Sequence, residues 1–155
     1  MELTFTSAQN SPTDFFNVLP EDWRLLIAPY WDTYAPTSTI YVLKCDTEVV
    51  AGGILFGSVS PDMTPFEKEH GHIYFALGYL YIGFLWVVPK WRGAHLGSTW
   101  LQELKKEHKH QAFWLTIEEE SLKEFYIKNG FQCIAENKLQ GNSEWLLIYH
   151  SVNGD

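Results

Sequence analysis

The feature that most constrains the fold of this 155-residue chain is an apolar segment that leads through an arginine- and glycine-bearing turn into a helix. Residues 84–88 are all apolar, and Arg92, Gly93 and Gly97 follow them. Backbone N–H groups at the start of a helix lack partners, and the helix dipole adds partial positive charge there. The turn is therefore predicted to bind an anion such as a phosphate or pyrophosphate. Gly93 and Gly97 would let the main chain come close to it.

The turn resembles the signature of the GNAT superfamily of acyl-CoA-dependent N-acyltransferases, which is Val-x-Pro-x-x-Arg-Gly-x-Gly-x-Gly between a strand and a helix. The matching residues of this chain are Val87, Pro89, Arg92, Gly93, Gly97 and Ser98, the last where the family often has Ser or Thr. One position departs from the pattern, because His95 stands where the middle glycine is usual. A side chain beside the phosphates could crowd the ligand or contribute charge to it.

A second segment, residues 124–131, is similar to the family's Phe-Tyr-x-Lys-x-Gly-Phe motif in order and spacing. In relatives, the tyrosine four residues before the glycine often protonates the departing thiolate of coenzyme A. The resemblance therefore implies a catalytic role for Tyr126, whereas its place on the apolar side of a predicted helix is also typical of a core tyrosine. With the flanking strands, the likeness covers roughly residues 77–150.

The resemblance also implies a cofactor site, with acetyl-CoA bound as the acyl donor and no metal ion. Backbone amides of the strand before the turn would pair with the pantetheine arm, and a β-bulge in that strand would point one N–H at the thioester oxygen. The turn would hold the pyrophosphate. The residues assigned to this cofactor site are Leu85, Trp86, Val87, Val88, Arg92, Gly93, Ala94, His95, Leu96, Gly97 and Ser98.

Glu119 stands roughly where many relatives carry an asparagine that hydrogen-bonds the pantetheine arm. An ionised glutamate cannot donate that bond. The other interpretation of Glu119 is a negative charge at the N-terminus of a helix, where such a charge is favourable.

The length of 155 residues and the hydrophobic content of 46% predict one domain, residues 1–155, with a substantial core. The local patterns predict a hairpin over 39–44 and 49–56, a loop over 58–71, a strand over 73–88 and a strand over 112–116. Pro29 predicts a break in the helix that follows residue 20. The alternation of strands and helices indicates an α+β fold.

The family resemblance makes that fold more specific. It implies a mixed, mainly antiparallel sheet of about six to seven strands with helices on both faces. Its central parallel pair would be the strand ending at Val88 and the strand over 112–116. These two strands would splay apart, and the acyl-pantetheine would lie in the opening.

The formal charge of −8 disfavours nucleic acid or an anionic membrane surface as a partner, because both require a basic face. A cationic acceptor is favoured instead. Two cysteines, Cys45 and Cys133, are too few for a disulfide framework or a zinc site. The N-terminal residues lack the pattern of a signal peptide, and no uninterrupted apolar window reaches about 18 residues. The sequence thus predicts a cytoplasmic protein without a membrane partner.

The expected activity is transfer of the acetyl group of acetyl-CoA to a primary amine of a small molecule or peptide. Direct attack by the amine is favoured, because no Cys or Ser has a partner base at motif spacing. The alternative is a catalytically inactive acyl-CoA-binding or interaction domain with the same fold. Dimers are frequent in the family, so the resemblance is compatible with a homodimer.

Acceptor specificity is expected from the early helices, the 58–71 loop and a turn over 140–144. The candidate substrate residues are Trp31, Tyr34 and His72. No general base is evident in the sequence, because no Asp or Glu follows Glu69 in the predicted strand before the turn.

Overall fold

The computed structural model describes residues 2–60, 63–138 and 143–151, and within these ranges the chain forms a seven-stranded sheet. The strands are β1 Leu3–Ser7, β2 Ser38–Cys45, β3 Glu48–Phe56, β4 Leu80–Val87, β5 Phe113–Ile117, β6 Gln132–Asn137 and β7 Glu144–Tyr149. Their order across the sheet is β1-β2-β3-β4-β5-β7-β6. Neighbouring strands run antiparallel except β4 and β5, which are parallel. The predicted α+β sheet with a central parallel pair is confirmed.

Helices cover both faces of this sheet. They are α1 Pro12–Phe16, α2 Glu21–Ile27, α3 Trp31–Tyr34, α4 Pro65–Ala76, α5 Leu96–Glu107 and α6 Lys123–Lys128, joined by short 3-10 helices at Ala28–Tyr30, Ala35–Thr37, Pro89–Trp91 and Glu120–Leu122. As predicted, α2 ends just before Pro29. None of the helices in the described part of the chain has the length and apolar character that crossing a membrane requires.

Two buried clusters form the core, one on each face of the sheet. The α5-side cluster includes Leu96, Trp100, Leu101, Leu104, Leu115 and Tyr126. The α4-side cluster includes Phe15, Trp31, Phe56, Tyr81, Trp114 and Ile148, with Phe66, Tyr74 and Phe75 of α4 packed against it. Aromatic side chains supply much of both clusters, so the aromatic richness of the sequence goes largely into the core.

The prediction of a loop over 58–71 and a strand over 73–88 is wrong, because α4 occupies residues 65–71 of the first range and residues 73–76 of the second. A capping box begins this helix: the Thr64 hydroxyl accepts a hydrogen bond from the Glu67 N–H at 3.1 Å, and Glu67 Oε1 accepts one from the Thr64 N–H at 2.9 Å. Pro65 fits the first helical position, which needs no N–H. β4 starts only at Leu80.

Candidate active site

A cavity opens where β4 and β5 separate. The two strands are in register only at Leu80 with Phe113 and Tyr81 with Trp114, so the pair diverges beyond its first residues. The resulting cavity has a volume of about 850 Å³ and is lined by residues of α2, α4, β4, β5, α5 and α6. Members of both core clusters line it, including Leu96 and Tyr126 from one and Tyr81 from the other. The cavity therefore reaches both faces of the sheet.

A β-bulge shapes the β4 wall of this cavity. Gly52 of β3 pairs with Trp86 and Ile54 pairs with Gly83, so Phe84 and Leu85 together face a single residue of β3. Phe84 has a φ of +56°, a value that is unusual for a bulky residue and is typical of strained or functional positions. The bulge implied by the family resemblance is present, and it takes part of β4 out of the regular ladder.

The bulge also redirects the side chains of β4. Ile82 and Leu85 both pack on the α5-side cluster, although strict alternation would place residues three apart on opposite faces. Phe84 and Trp86 join the α4-side cluster instead. One extra residue in the strand thus lets aromatic side chains line the cavity on the α4 side.

The turn after β4 leads into α5 through two residues in the left-handed region. Gly93 has a φ of +92°, and His95, the N-cap of α5, has a φ of +59°. This explains why a glycine suits the position of His95, and histidine is among the side chains that tolerate this conformation better than most. Its imidazole is exposed and lines the cavity. The replacement therefore keeps the turn and adds a titratable group at its surface.

Arg92 ties this turn to the end of β4. Its Nε donates to the Val87 carbonyl oxygen at 3.0 Å, and its guanidinium lies 4.5 Å from the centre of the Trp86 ring. The next amides, those of Leu96 and Gly97, open α5 and have no partner within the helix. A cationic side chain and free N–H groups thus converge on one wall, an arrangement suited to an anion.

Two residues assigned to the cofactor site do not line the cavity, namely Val88 and Ala94. The Val88 N–H donates to the Val50 carbonyl oxygen at 2.9 Å, so β3 already uses this amide. The other assigned residues, Leu85, Trp86, Val87, Arg92, Gly93, His95, Leu96, Gly97 and Ser98, do line it.

Gly97 and Ser98 hold α5 against α6. A side-chain carbon on Gly97 would lie 2.9 Å from the Phe125 ring, which is closer than packed atoms approach. The Ser98 hydroxyl accepts a hydrogen bond from the Asn129 side-chain amide at 3.1 Å. Asn129, which is buried, also donates to the Phe125 carbonyl oxygen at 2.8 Å. Both motifs therefore have a packing function that the sequence patterns did not indicate.

Tyr126 lies on α6 at the wall of the cavity. Its side chain is 8% exposed and packs edge-on against Phe125 and Phe131. Within residues 2–60, 63–138 and 143–151, its hydroxyl has no hydrogen-bond partner. Burial raises the pKa of Tyr126 above the ordinary tyrosine value, so the hydroxyl is protonated at neutral pH. The position offers a proton donor to whatever occupies the cavity.

The α4 side of the cavity contains a carboxylate that sequence reasoning missed. Glu67 lines the cavity and accepts hydrogen bonds from the Tyr81 hydroxyl at 3.1 Å and from the Thr116 hydroxyl. Tyr81 is buried, and burial, followed by the charge of Glu67, raises its pKa well above the ordinary value. The signal that could have identified Glu67 is the sequence Thr64-Pro65-Phe66-Glu67, a capping box with proline at the first helical position.

Two further carboxylates surround Glu67. Glu144 is 8% exposed and accepts a hydrogen bond from the Thr64 hydroxyl at 2.8 Å. Burial raises the pKa of Glu144, and the charges of Glu67 and Glu118 add to this effect. Glu118 itself lines the cavity, as does Glu119, which is the N-cap of the short 3-10 helix before α6. In the part of the chain that the structure describes, no group of three or more His, Cys, Asp or Glu residues is placed to hold a metal ion.

The candidate substrate residues lie away from the cavity. Trp31 is buried and packs edge-on against Phe16, and Tyr34 packs against Phe56. His72 is exposed on α4 and borders a separate shallow pocket. These residues contribute to the α4-side core or lie at the surface, and the sequence alone did not distinguish those positions from an acceptor site. In the predicted turn over 140–144, residues 140–142 lie outside the described ranges.

Comparison with known proteins identifies the family. Residues 36–133 match the family model described as "Acetyltransferase (GNAT) domain". The chain belongs to the GNAT acetyltransferase family. The matched range contains the diverging strand pair, the bulge, the turn and Tyr126. No curated protein sequence matches this chain.

Solved structures of GNAT and other acetyltransferases share the fold at low sequence identity. The ribosomal-protein-S18-alanine N-acetyltransferase from Escherichia coli is 12% identical with a TM-score of 0.68, covering 96% of this chain and 94% of its own. The PaiA N-acetyltransferase from Thermoplasma acidophilum, solved with coenzyme A, is 13% identical with a TM-score of 0.60, covering 97% and 99%. The IAA acetyltransferase from Bacillus cereus is 14% identical with a TM-score of 0.61, covering 96% and 99%.

Proposed function

We propose that this protein is an N-acetyltransferase that transfers the acetyl group of acetyl-CoA directly to a primary amine of a small molecule or peptide. The observation that carries this proposal is the cavity between β4 and β5, which reaches both faces of the sheet. A donor could enter from the α5 side and an acceptor from the α4 side, so that the two reacting groups meet at the opening. The complex of the Thermoplasma neighbour with coenzyme A supports the choice of donor.

The proposed donor site uses the turn and the bulged strand. The pyrophosphate of acetyl-CoA would accept hydrogen bonds from the amides at the start of α5, with Arg92 as a nearby positive charge. The pantetheine arm would lie along Leu85 to Val87. The bulge at Phe84 would leave a backbone N–H free to polarise the thioester carbonyl.

The proposed reaction forms one bond and breaks one bond. The amine nitrogen attacks the thioester carbonyl carbon, the C–N bond forms, and the C–S bond breaks as the tetrahedral intermediate collapses. The Tyr126 hydroxyl gives its proton to the departing sulfur, and the nitrogen loses the proton that becomes surplus. Neither Cys45 nor Cys133 lines the cavity, which favours direct attack over an acetylated cysteine.

The test is to mix the protein with acetyl-CoA and a panel of primary amines, and to follow free thiol and acetylated product together. We expect equal amounts of both for at least one amine. Tight binding of acetyl-CoA without thiol release for any amine would instead favour the alternative, an acyl-CoA-binding domain without turnover.

We also propose a cytoplasmic location. Cys45 and Cys133 are both free thiols in the structure, which fits a reducing compartment. Cell fractionation of the tagged protein tests this proposal, and recovery in a secreted fraction would contradict it.

A further inference from the structure

We propose that Glu67 binds the ammonium group of the acceptor and takes its proton, and that the α4 side of the cavity selects a primary amine with one positive charge and a flat apolar body. This inference rests on the proposed function and names the acceptor class for the same cavity. It assigns a base, and it names acceptor-binding residues within the early helices and the 58–71 segment from which acceptor specificity was expected.

The first support is the hydrogen bonding of the Glu67 carboxylate. Its Oε1 accepts from the Thr64 N–H, and its Oε2 accepts from the hydroxyls of Tyr81 and Thr116. A carboxylate offers about four lone-pair positions, so three donors leave about one position for a ligand. The three donors also fix the orientation of the carboxylate at the cavity wall, which is what a binding group needs.

The second support is the charge around this carboxylate. Glu144 interacts electrostatically with both other carboxylates, since the charges of Glu67 and Glu118 each raise its pKa. Among residues 2–60, 63–138 and 143–151, no Lys, Arg or His forms an ion pair with Glu67, Glu118 or Glu144. The negative charge on this side is therefore uncompensated, and an ammonium group would relieve it.

The third support is an aromatic wall in the same cavity as Glu67. Trp23 of α2 packs edge-on against Phe84 and Trp86, with ring centres 5.9 Å and 5.4 Å apart, and all three side chains line the cavity. The Trp86 indole N–H is buried and has no hydrogen-bond partner among the residues that the structure describes. Flat apolar surfaces of this kind favour a flat apolar ligand.

Tyr126 supplies independent evidence that the cavity binds a ligand. It is a polar side chain that is more than nine-tenths buried, lines the same cavity, and has no hydrogen-bond partner for its hydroxyl among the described residues. Tyr81, which donates to Glu67, is also close enough to Tyr126 for the two side chains to interact electrostatically.

The proton balance of the reaction is complete with these two residues. The acceptor arrives as an ammonium ion and loses one proton to Glu67, which passes it to solvent. The free amine then attacks the thioester, and its nitrogen loses a second proton as the amide forms. Tyr126 protonates the sulfur and regains a proton from that second release. The net products are the amide, coenzyme A as the thiol, and one proton.

The decisive variant is Glu67→Gln, because glutamine still serves a capping box and so preserves the start of α4. The matched control is Glu69→Gln, an exposed glutamate on the same helix. Each protein is assayed with 2-phenylethylamine, which is an ammonium ion at neutral pH, and with aniline, whose amine is uncharged. Acetyl-CoA affinity is measured in parallel.

We expect Glu67→Gln to lower kcat/KM for 2-phenylethylamine about 100-fold, through both KM and kcat. With aniline the loss should be no more than about threefold, since aniline has no proton to give before attack. The affinity for acetyl-CoA and the activity of Glu69→Gln should be unchanged. An equal loss with both amines, or no loss with 2-phenylethylamine, would overturn the assignment of Glu67.

Binding of the amine without acetyl-CoA separates this inference from the proposed function. A change in tryptophan fluorescence on adding 2-phenylethylamine reports binding, since Trp23 and Trp86 line the cavity. Glu67→Gln should weaken that binding about tenfold. If the amine binds in a Glu67-dependent way but no acetyl transfer occurs, the acceptor site stands and the proposed function fails. If transfer occurs and binding does not depend on Glu67, the proposed function stands and the assignment of the acceptor site fails.

The acceptor class has its own test in the same assay. Spermidine, with several charges, and phenylalanine, with an added carboxylate, should each show a kcat/KM at least about tenfold below that of 2-phenylethylamine. Spermidine has no flat apolar body to pack on the aromatic wall, and the carboxylates of the cavity repel the carboxylate of phenylalanine. A kcat/KM for either compound within about tenfold of that for 2-phenylethylamine, or above it, would overturn the proposed acceptor class. The role of Glu67 is decided separately, by comparing Glu67→Gln with Glu69→Gln.

Discussion

The two sides of the cavity differ in how the chain builds them. On the α5 side, the lining comes mainly from two short segments, residues 92–98 and 124–131, that are each continuous in sequence. On the α4 side it comes from α2, α4, β4 and β5, which are far apart in sequence. A donor shared by a whole family suits a fixed local motif, whereas an acceptor that varies among relatives suits a wall assembled from several elements. A local sequence motif can therefore identify the α5 side, whereas the α4 side is assembled only when the chain folds.

The largest expected effect concerns the α5 side. Tyr126→Phe should lower kcat about 100-fold and leave acetyl-CoA affinity unchanged, because the variant removes the proposed acid but keeps the ring packing. Since burial raises the pKa of Tyr126, the wild-type rate should not fall as the pH approaches about 10, the ordinary tyrosine range. Steady-state kinetics across pH measures both. Tyr30→Phe, at an exposed tyrosine away from the cavity, is the control.

Unchanged turnover of Tyr126→Phe with normal cofactor binding would remove Tyr126 from the mechanism. The α5 side would then bind the donor without contributing a proton, and its difference from the α4 side would be larger than proposed.

Gly97→Ala should destabilise the protein by about 2 kcal/mol, because the added carbon meets the Phe125 ring. Thermal unfolding should show Tm lowered by about 5 °C. Adding Phe125→Leu should recover part of that loss, since the smaller side chain makes room. A Gly97→Ala protein as stable as wild type would show that α5 and α6 are not held as closely as the structure indicates.

Arg92→Ala should raise the Kd for coenzyme A about tenfold, through loss of a positive charge near the pyrophosphate. Isothermal calorimetry measures it, and the wild-type affinity should fall more steeply with added salt than that of the variant. Lys90→Ala is the matched control, because Lys90 lies in the same turn but is exposed and paired with Glu48 at 3.0 Å. Equal effects of the two variants would mean that general charge, and not the position of Arg92, governs donor binding.

His95→Gly should have the smallest effect. The Kd for coenzyme A should stay within about threefold of the wild-type value, since glycine fits the left-handed backbone at this position. Isothermal calorimetry is the measurement. A change of about tenfold or more would mean that the imidazole itself contacts the donor.

The central parallel pair and the position of the turn could be predicted because local signals agree there. Residues 84–88, the glycines and Arg92 specify a strand, a turn and a helix start in order, and each choice is visible within a few residues. The prediction for Val88 shows the limit. Its amide pairs with Val50 of β3, and such a long-range partner has no signature in the local sequence.

The residues that line the α4 side could not be predicted from the sequence, for two separate reasons. Residues 65–76 contain mixed charged and aromatic residues with weak helical periodicity, so proline and charge favoured a loop over the helix that the capping box at Thr64 begins. The direction of the Phe84 side chain could not be predicted because of the bulge, since a strict strand period would place it on the face opposite Trp23. Trp31 illustrates a related limit, because an aromatic residue of an early helix packs in the core and its residue type alone does not distinguish a core position from a substrate site.

The most direct test of the meeting of the two sides is the affinity of a bisubstrate compound, in which coenzyme A is joined through an acetyl linker to the nitrogen of 2-phenylethylamine. If the donor and acceptor occupy one cavity through the opening between β4 and β5, this compound should bind at least about tenfold more tightly than coenzyme A, because the second group binds at high effective concentration. An affinity equal to that of coenzyme A alone would contradict a shared cavity.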